Sequence, residues 1–161
     1  MSTIDAPARA AQPIAGPAPR LLVIQAPYYE QVVSGMRQGA ERVFAEVGAL
    51  HQTVDVAGGY ELPAALRMAL SQTGEQYDGF LLLGCVVKGE TDHYDFICAA
   101  VCQGVMDVST ERGAAIGFGL LTVDTLQQAV ARSGENRMNK GAEAAQALLG
   151  QVALRRRWKL A

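Results

Sequence analysis

Short apolar runs alternate along this chain with stretches in which apolar residues recur at helical spacing. Runs of this length, without polar alternation, are typical of strands that are buried on both faces of a parallel sheet. Four runs predict four strands, at Leu21–Ile24, Thr53–Val56, Phe80–Val87 and Ala115–Leu121.

The stretches between the runs predict amphipathic helices. Apolar residues lie three and four apart from Val33 to Val47, and Gly48 ends that pattern. Strands that alternate with helices indicate an α/β protein. We expect a three-layer α/β/α sandwich with a four-stranded, mainly parallel sheet, flavodoxin-like in its general order. The remaining helices are expected at Glu61–Leu70, around Ile97–Val108, at Asp124–Ala131 and at Lys140–Lys159.

The first 19 residues differ in composition from the rest. They hold four of the six prolines and hardly any large apolar side chain, so they bury too little surface to offset the entropy of ordering. We expect a flexible arm at residues 1–19 and one domain at residues 20–161.

Composition and charge exclude several classes of protein. Half of the residues are hydrophobic and the net charge is −2, whereas nucleic-acid binders usually carry a basic surplus. No apolar run approaches the ~20 residues that cross a bilayer, and no basic-then-apolar leader opens the chain. We expect a cytoplasmic protein that binds neither nucleic acid nor membranes.

Three cysteines raise the question of a metal or a disulfide. Cys98 and Cys102 lie four apart on a predicted helix, a spacing that suits a metal pair. No second pair completes such a site, and Cys85 stands alone. We therefore expect no metal, no disulfide, and cysteines that pack as small hydrophobic residues.

Candidate chemistry is sought beyond the carboxyl ends of the strands, where open α/β sheets bind their ligands. Tyr28 and Tyr29 follow the first strand, either as residues that cap a helix or as a surface on which a heterocycle stacks. Glu61 follows a glycine pair after the second strand. It either favours the helix dipole or accepts hydrogen bonds from substrate hydroxyls.

The segment after the third strand is the richest in polar groups. Glu90, Thr91 and Asp92 precede a predicted helix, whose N-terminus is suited to an anion. His93 lies among them, and we expect it to transfer protons. His51 lies before the second strand, at the opposite edge of the sheet, and is expected to have no such role.

Arg132 and Lys140 bracket a loop that contains glycine and asparagine. Two cations at such a loop suit a phosphate, because arginine binds phosphate oxygens in a fork. The alternative is that both residues simply lie at helix ends.

Four segments, in order and at fitting separations, resemble the lumazine synthase family, over about Arg20 to Leu149. They read VAGGYELP at Val56–Pro63, GCVVKGETDHYD at Gly84–Asp95, FGLLT at Phe118–Thr122 and RSGENRMNKG at Arg132–Gly141.

The resemblance implies a transferase, without metal or organic cofactor, in the penultimate step of riboflavin biosynthesis. It condenses 5-amino-6-(D-ribitylamino)uracil with 3,4-dihydroxy-2-butanone 4-phosphate to 6,7-dimethyl-8-ribityllumazine, phosphate and water. By resemblance, His93 is the proton-transfer residue. The pyrimidine and ribityl groups are implied to contact Tyr28, Gly59, Tyr60, Glu61, Val86, Val87, Lys88 and Phe118. The phosphate is implied to contact Glu90, Thr91, Arg132 and Lys140.

The resemblance also implies a homo-oligomer built from pentamers, in which Phe118 reaches into a neighbouring subunit's pocket. Decamers, 60-subunit shells and an association with riboflavin synthase are further options. The chain departs from the family at Tyr28, where phenylalanine is usual, so Tyr29 is the other candidate for stacking. It departs again at Gly59, where alanine is usual, and at Glu135–Met138, which leaves assembly beyond the pentamer open. The alternative function is that of a non-catalytic flavin-binding, lumazine-binding or shell-forming paralogue.

Overall fold

A four-stranded parallel sheet forms the middle layer of the computed structural model, which describes residues 14–74 and 76–160. The strands are β1 (Arg20–Gln25), β2 (Leu50–Asp55), β3 (Gly79–Val87) and β4 (Ile116–Val123), in the order β2-β1-β3-β4. The helices are α1 (Glu30–Glu46), α2 (Glu61–Ala69), α3 (His93–Arg112), α4 (Leu126–Ala131) and α5 (Lys140–Arg157), and a 3-10 turn spans Pro27–Tyr29. The expected α/β/α sandwich and its flavodoxin-like character are confirmed.

Alternate residues of the inner strands enter two separate cores, because successive side chains of a strand point to opposite faces. Leu21 and Val23 of β1 pack with α1, α4 and α5. Leu22 and Ile24 pack with α2 and α3. Each such side chain, once fully buried, contributes roughly 1.5–3 kcal/mol through the hydrophobic effect. Burial on both faces explains the continuous apolar runs in the sequence.

The prediction for β2 was wrong in its bounds and in its burial. The strand begins at Leu50 and ends at Asp55, and all six of its residues are exposed. It lies at the edge of the sheet and pairs with β1 alone. Only an inner strand covered on both faces needs a continuous apolar run, so the sequence of β2 carries no such signal.

Helices α1 and α5 approach closely through glycines. A Cβ placed on Gly141 would lie 1.9 Å from the carbonyl oxygen of Met36, and one placed on Gly39 would lie 2.2 Å from Oδ1 of Asn139. These positions require the absence of a side chain. They bring the N-terminus of α5 directly against the middle of α1.

The described residues that precede β1 are held against α5. Nη1 of Arg156 donates to the carbonyl oxygens of Ala15 (2.9 Å) and Pro17 (2.7 Å), and its Nη2 lies 3.1 Å from Oδ1 of Asp78. Residues 1–13 of the predicted arm lie outside the described residues, and the domain boundary at residue 20 stays a prediction. Within the described ranges, no helix is both long and apolar enough to cross a membrane.

Candidate active site

The carboxyl ends of the four parallel strands lie together at one end of the sheet, which is where sheets of this kind bind their ligands. The chain passes from β1 outward to β2 and then crosses to β3 on the other side of β1. The order therefore reverses between β1 and β3, which is where open α/β sheets bind ligands. Nε2 of Gln25 donates to Oδ1 of Asp55 at 2.8 Å and ties the ends of β1 and β2 together.

Tyr60 and His93 meet at this end of the sheet, although they come from different elements. Their ring centroids lie 5.9 Å apart with a tilt of 59°. Both side chains are exposed, and His93 is the first residue of α3. The sequence-predicted proton-transfer residue therefore stands beside one of the predicted substrate-binding residues.

The glycine pair before α2 lies against α3 and against the Glu61 carboxylate. A Cβ on Gly59 would be 3.4 Å from Cδ1 of Ile97, and one on Gly58 would be 3.2 Å from Oε2 of Glu61. An alanine at Gly59, which is usual in the family that the sequence resembles, would make an ordinary van der Waals contact. The replacement of the usual alanine by Gly59 therefore leaves the turn undisturbed.

The segment after β3 is anchored through Lys88 and Tyr94. The backbone N–H of Lys88 donates to the carbonyl oxygen of Val123 at 2.8 Å, and its Nζ lies 5.9 Å from the centroid of the Tyr94 ring. Burial raises the pKa of the Tyr94 phenol, while a hydrogen bond with Thr122 acts in the opposite direction. Tyr94 thus links the start of α3 to the end of β4, a role that the sequence analysis missed.

Tyr28 and Tyr29 differ in exposure. The side chain of Tyr28 is 78% exposed, whereas Tyr29 packs against the core next to α1. The two rings meet edge to face, with centroids 5.2 Å apart. Burial raises the pKa of Tyr29, with smaller contributions from Cys85 and Tyr28. Tyr29 is partly buried, so Tyr28 presents the more exposed ring of the two.

Phe118, Arg132 and Lys140 lie elsewhere, around a cavity of about 460 Å³ between β4 and α5. β4 is the outer strand on that side of the sheet, and neither Tyr60 nor His93 lines the cavity. Arg132 donates from Nη1 to the carbonyl oxygen of Gln128 at 2.9 Å. Nζ of Lys140 lies 2.6 Å from Oε2 of Glu143, a partner that the i, i+3 spacing could have revealed.

The cysteines are free thiols at three levels of exposure. Burial raises the pKa of the Cys85 thiol to about 11, so it packs as a neutral side chain, as expected. Cys102 is exposed on α3, and the expectation that it packs was wrong, because among the described residues the buried face of that helix is formed by Val101 and Val105. Among the described residues, no three His, Cys, Asp or Glu side chains are grouped so that they could hold a metal ion.

His51 lies near the start of β2, away from the carboxyl ends of the strands. Its Nε2 is 3.5 Å from Oε1 of Glu41, and its ring centroid is 5.6 Å from that of Phe44. His51 is thus the second residue of β2 and not, as expected, a residue before that strand, because β2 begins earlier than predicted. Its expected distance from the carboxyl ends of the strands is confirmed.

The fold and the groups at the strand ends define a class of protein. It is a doubly wound α/β protein whose strand order reverses between β1 and β3, the usual ligand-binding position of such sheets, and a histidine is exposed at that end of the sheet. The family described as 6,7-dimethyl-8-ribityllumazine synthase matches residues 18–156. Because that match covers most of the sequence, the chain belongs to the 6,7-dimethyl-8-ribityllumazine synthase family, and it is an enzyme of the transferase class.

Individual relatives carry the same description. The chain is 39% identical over 141 residues to the 6,7-dimethyl-8-ribityllumazine synthase of Nitrobacter winogradskyi, with 86% of each chain covered. It is 37% identical over 155 residues to that of Methylorubrum populi, covering 94% of this chain and 90% of the relative. It is 42% identical over 137 residues to that of Methylobacterium radiotolerans, covering 85% and 82% respectively.

Proposed function

We propose that this chain condenses 5-amino-6-(D-ribitylamino)uracil with 3,4-dihydroxy-2-butanone 4-phosphate at the carboxyl ends of its strands. The products are 6,7-dimethyl-8-ribityllumazine, phosphate and water. The observation that carries the proposal is the Tyr60–His93 pair, 5.9 Å apart beside the glycine turn, in a member of this enzyme family. Both substrates are small and polar, and the phosphate ester does not cross membranes, which supports a cytoplasmic location.

Proton transfer is the role of His93. The amine of the pyrimidine attacks the ketone carbon, the carbonyl oxygen leaves as water, and an imine forms. Loss of a proton from the neighbouring hydroxyl-bearing carbon breaks the carbon–oxygen bond to phosphate at the next carbon and leaves an enol. The enol tautomerises to a ketone, and the ribitylamino nitrogen attacks this ketone and closes the ring with loss of a second water. Each step moves protons near neutral pH, which suits an exposed imidazole. No step transfers electrons, so the reaction needs no redox cofactor, and side chains alone can move the protons.

The pyrimidine and its ribityl chain occupy a crevice at the carboxyl ends of the strands. The exposed ring of Tyr28 offers a face for stacking, which favours it over Tyr29. The Glu61 carboxylate beside the glycine pair is placed to accept hydrogen bonds from ribityl hydroxyls. Gly59 and Tyr60, in the turn before α2, line the ribityl chain. Val86 and Val87 at the half-buried end of β3, with Lys88 directly after it, flank the ring.

The phosphate is bound by Glu90 and Thr91 before α3 and by the cations Arg132 and Lys140. Guanidinium and ammonium groups orient phosphate oxygens and stabilise the charge that develops as phosphate leaves. Nη1 of Arg132 donates to the carbonyl oxygen of Gln128, and the guanidinium group has further N–H donors that can bind phosphate oxygens.

A neighbouring subunit completes the site. Phe118, Arg132 and Lys140 surround the cavity along the outer strand β4, apart from Tyr60 and His93. A complete site therefore needs the β4 edge of one subunit to face the crevice of the next. A head-to-tail contact of this kind gives a ring when its rotation closes, and the family resemblance implies a ring of five. An association with riboflavin synthase, and a decamer or larger shell, are compatible with this unit.

One assay tests the reaction. Purified protein is mixed with both substrates, and the absorbance of the lumazine is followed, with each substrate omitted in turn as a control. We expect product only when both substrates are present. Binding of the lumazine without turnover would instead identify a non-catalytic binding or shell-forming paralogue.

A further inference from the structure

Asn139 is almost fully buried, with 2% of its surface exposed, between the two proposed phosphate-binding cations. Its Nδ2 approaches three carbonyl oxygens, those of Gly35 (3.0 Å), Ser133 (2.9 Å) and Gly134 (2.9 Å). Its Oδ1 accepts a hydrogen bond from the N–H of Ala142 at 3.0 Å. The side-chain amide therefore ties one loop to both α1 and α5.

The same loop carries both cations at its base. The backbone N–H of Lys140 donates to the carbonyl oxygen of Arg132 at 2.8 Å, so these two residues are neighbours across the mouth of the loop. The loop interior is occupied by Asn139, and Gly39 of α1 provides the space for it. Any movement of Asn139 therefore shifts the backbone from which both cations extend.

Helix capping alone does not explain an asparagine here. Asn, Asp and Ser all cap helix N-termini well, because each offers an oxygen to the first free N–H groups. Only asparagine combines that oxygen with two N–H donors that can serve nearby carbonyl groups. Aspartate would place a carboxylate against three carbonyl oxygens, and serine would be too short to reach them.

We infer that Asn139 is the positioning residue that holds Arg132 and Lys140 at the separation needed by the substrate phosphate. The inference rests on the proposed function, in which these two cations bind the phosphate. Asn139 does not touch the substrate itself. It acts by fixing the loop, since a phosphate held by two cations depends on their spacing.

Two variants test the inference. Asn139→Asp keeps the size and the helix cap but removes the donors, and Asn139→Ser keeps the cap with a milder change. In both variants we expect the KM for the butanone phosphate and the inhibition constant of inorganic phosphate to rise about tenfold or more. That is the effect of losing one hydrogen bond between a displaced cation and the phosphate. The KM for the pyrimidine should change less than about twofold, within the effect of a near-neutral substitution.

Asn136→Ala is the matched control, because Asn136 lies in the same loop and is exposed. Its Nδ2 donates to the carbonyl oxygen of Ala131 and its Oδ1 accepts from the N–H of Met138, both within the loop and neither to α1 or α5, so both KM values should stay near wild type. Urea unfolding identifies the variants that are folded under assay conditions. Unchanged phosphate affinity in folded Asn139→Ser, or an equal rise in both KM values, would overturn the inference.

Arg132→Ala separates this inference from the proposed function. If Arg132→Ala weakens phosphate binding and the Asn139 variants do not, the positioning role fails while the proposed site stands. If Arg132→Ala leaves phosphate affinity unchanged, the proposed phosphate site fails, and with it the inference.

Discussion

His93 is one of two histidines in the chain, and the pair provides a test with its own control. We expect His93→Ala to slow lumazine formation by roughly one to four orders of magnitude, as loss of a general acid–base group does. The low end is expected, because holding the two substrates together still supplies much of the acceleration. His51→Ala, at the opposite edge of the sheet, should retain wild-type activity. A kcat for His93→Ala equal to wild type from pH 6 to 8 would remove this residue from the mechanism.

Arg132 is tested by the two substrates separately. Arg132→Ala should raise the KM for the butanone phosphate far more than the KM for the pyrimidine, because only the former carries the group that Arg132 binds. Arg132→Lys should restore part of the affinity, since lysine keeps the charge but lacks the planar fork. Steady-state kinetics with each substrate varied in turn give both values. If both KM values rose equally, Arg132 would serve the fold instead.

Single residues show where inference from sequence ends. The position of His93 at the start of α3 could be predicted, because a helix was expected to follow the buried run of β3; its role in proton transfer stays a prediction. The hydrogen bonds of Asn139 could not be predicted, since one of them reaches the carbonyl group of Gly35, which lies 104 positions away in the sequence. Nor could the sequence show that Phe118, Arg132 and Lys140 gather along β4. Residues that are close in space but far apart in the sequence leave no local sequence pattern.

At the scale of elements, helix α5 offers a matched pair of glycine substitutions. A Cβ at Gly141 would collide with α1, whereas a Cβ at Gly150 would meet nothing within 4 Å. We expect Gly141→Ala to lower the free energy of unfolding by about 1–3 kcal/mol or more, the cost of overpacking. Gly150→Ala should raise it by about 0.5–1 kcal/mol through helix propensity. Urea denaturation of both variants provides the comparison, and equal effects would contradict the close α1–α5 contact.

The elements also separate what the sequence predicts from what it does not. The inner strands β1 and β3 were predicted because burial on both faces demands an unbroken apolar run. β2 was misjudged because an edge strand has no such demand, and its exposed residues mix polar and apolar types. Register and strand order follow from tertiary packing. Neither leaves a signal that can be read within one element.

At the scale of the molecule, we expect the smallest stable species to be a pentamer, and its dissociation to abolish activity. The proposed site is divided between the crevice and the β4 edge, and a half-site open to water orders its substrates poorly. Phe118→Ser should weaken pyrimidine binding. Apolar residues stay exposed on the outer side of α3, with Phe96 69% and Met106 51% exposed, which supports burial by other subunits. Native mass spectrometry and light scattering should show multiples of five.

The appropriate control is activity as a function of protein concentration. If the site is shared, specific activity falls as the protein is diluted below the dissociation range of the ring. A fully active monomer at low concentration would contradict both the shared site and the role assigned to Phe118.

The contact between α1 and α5 also constrains how the chain is made. α1 ends at Glu46 and α5 ends at Arg157, so about 110 residues must be translated between them, which takes roughly 6–22 s at ~5–20 residues per second. Until then the part of α1 that faces α5, around Met36 and Gly39, has no helix to pack against on the ribosome. A nascent chain released before residue 140 would keep that face uncovered and become a target for chaperones and proteases.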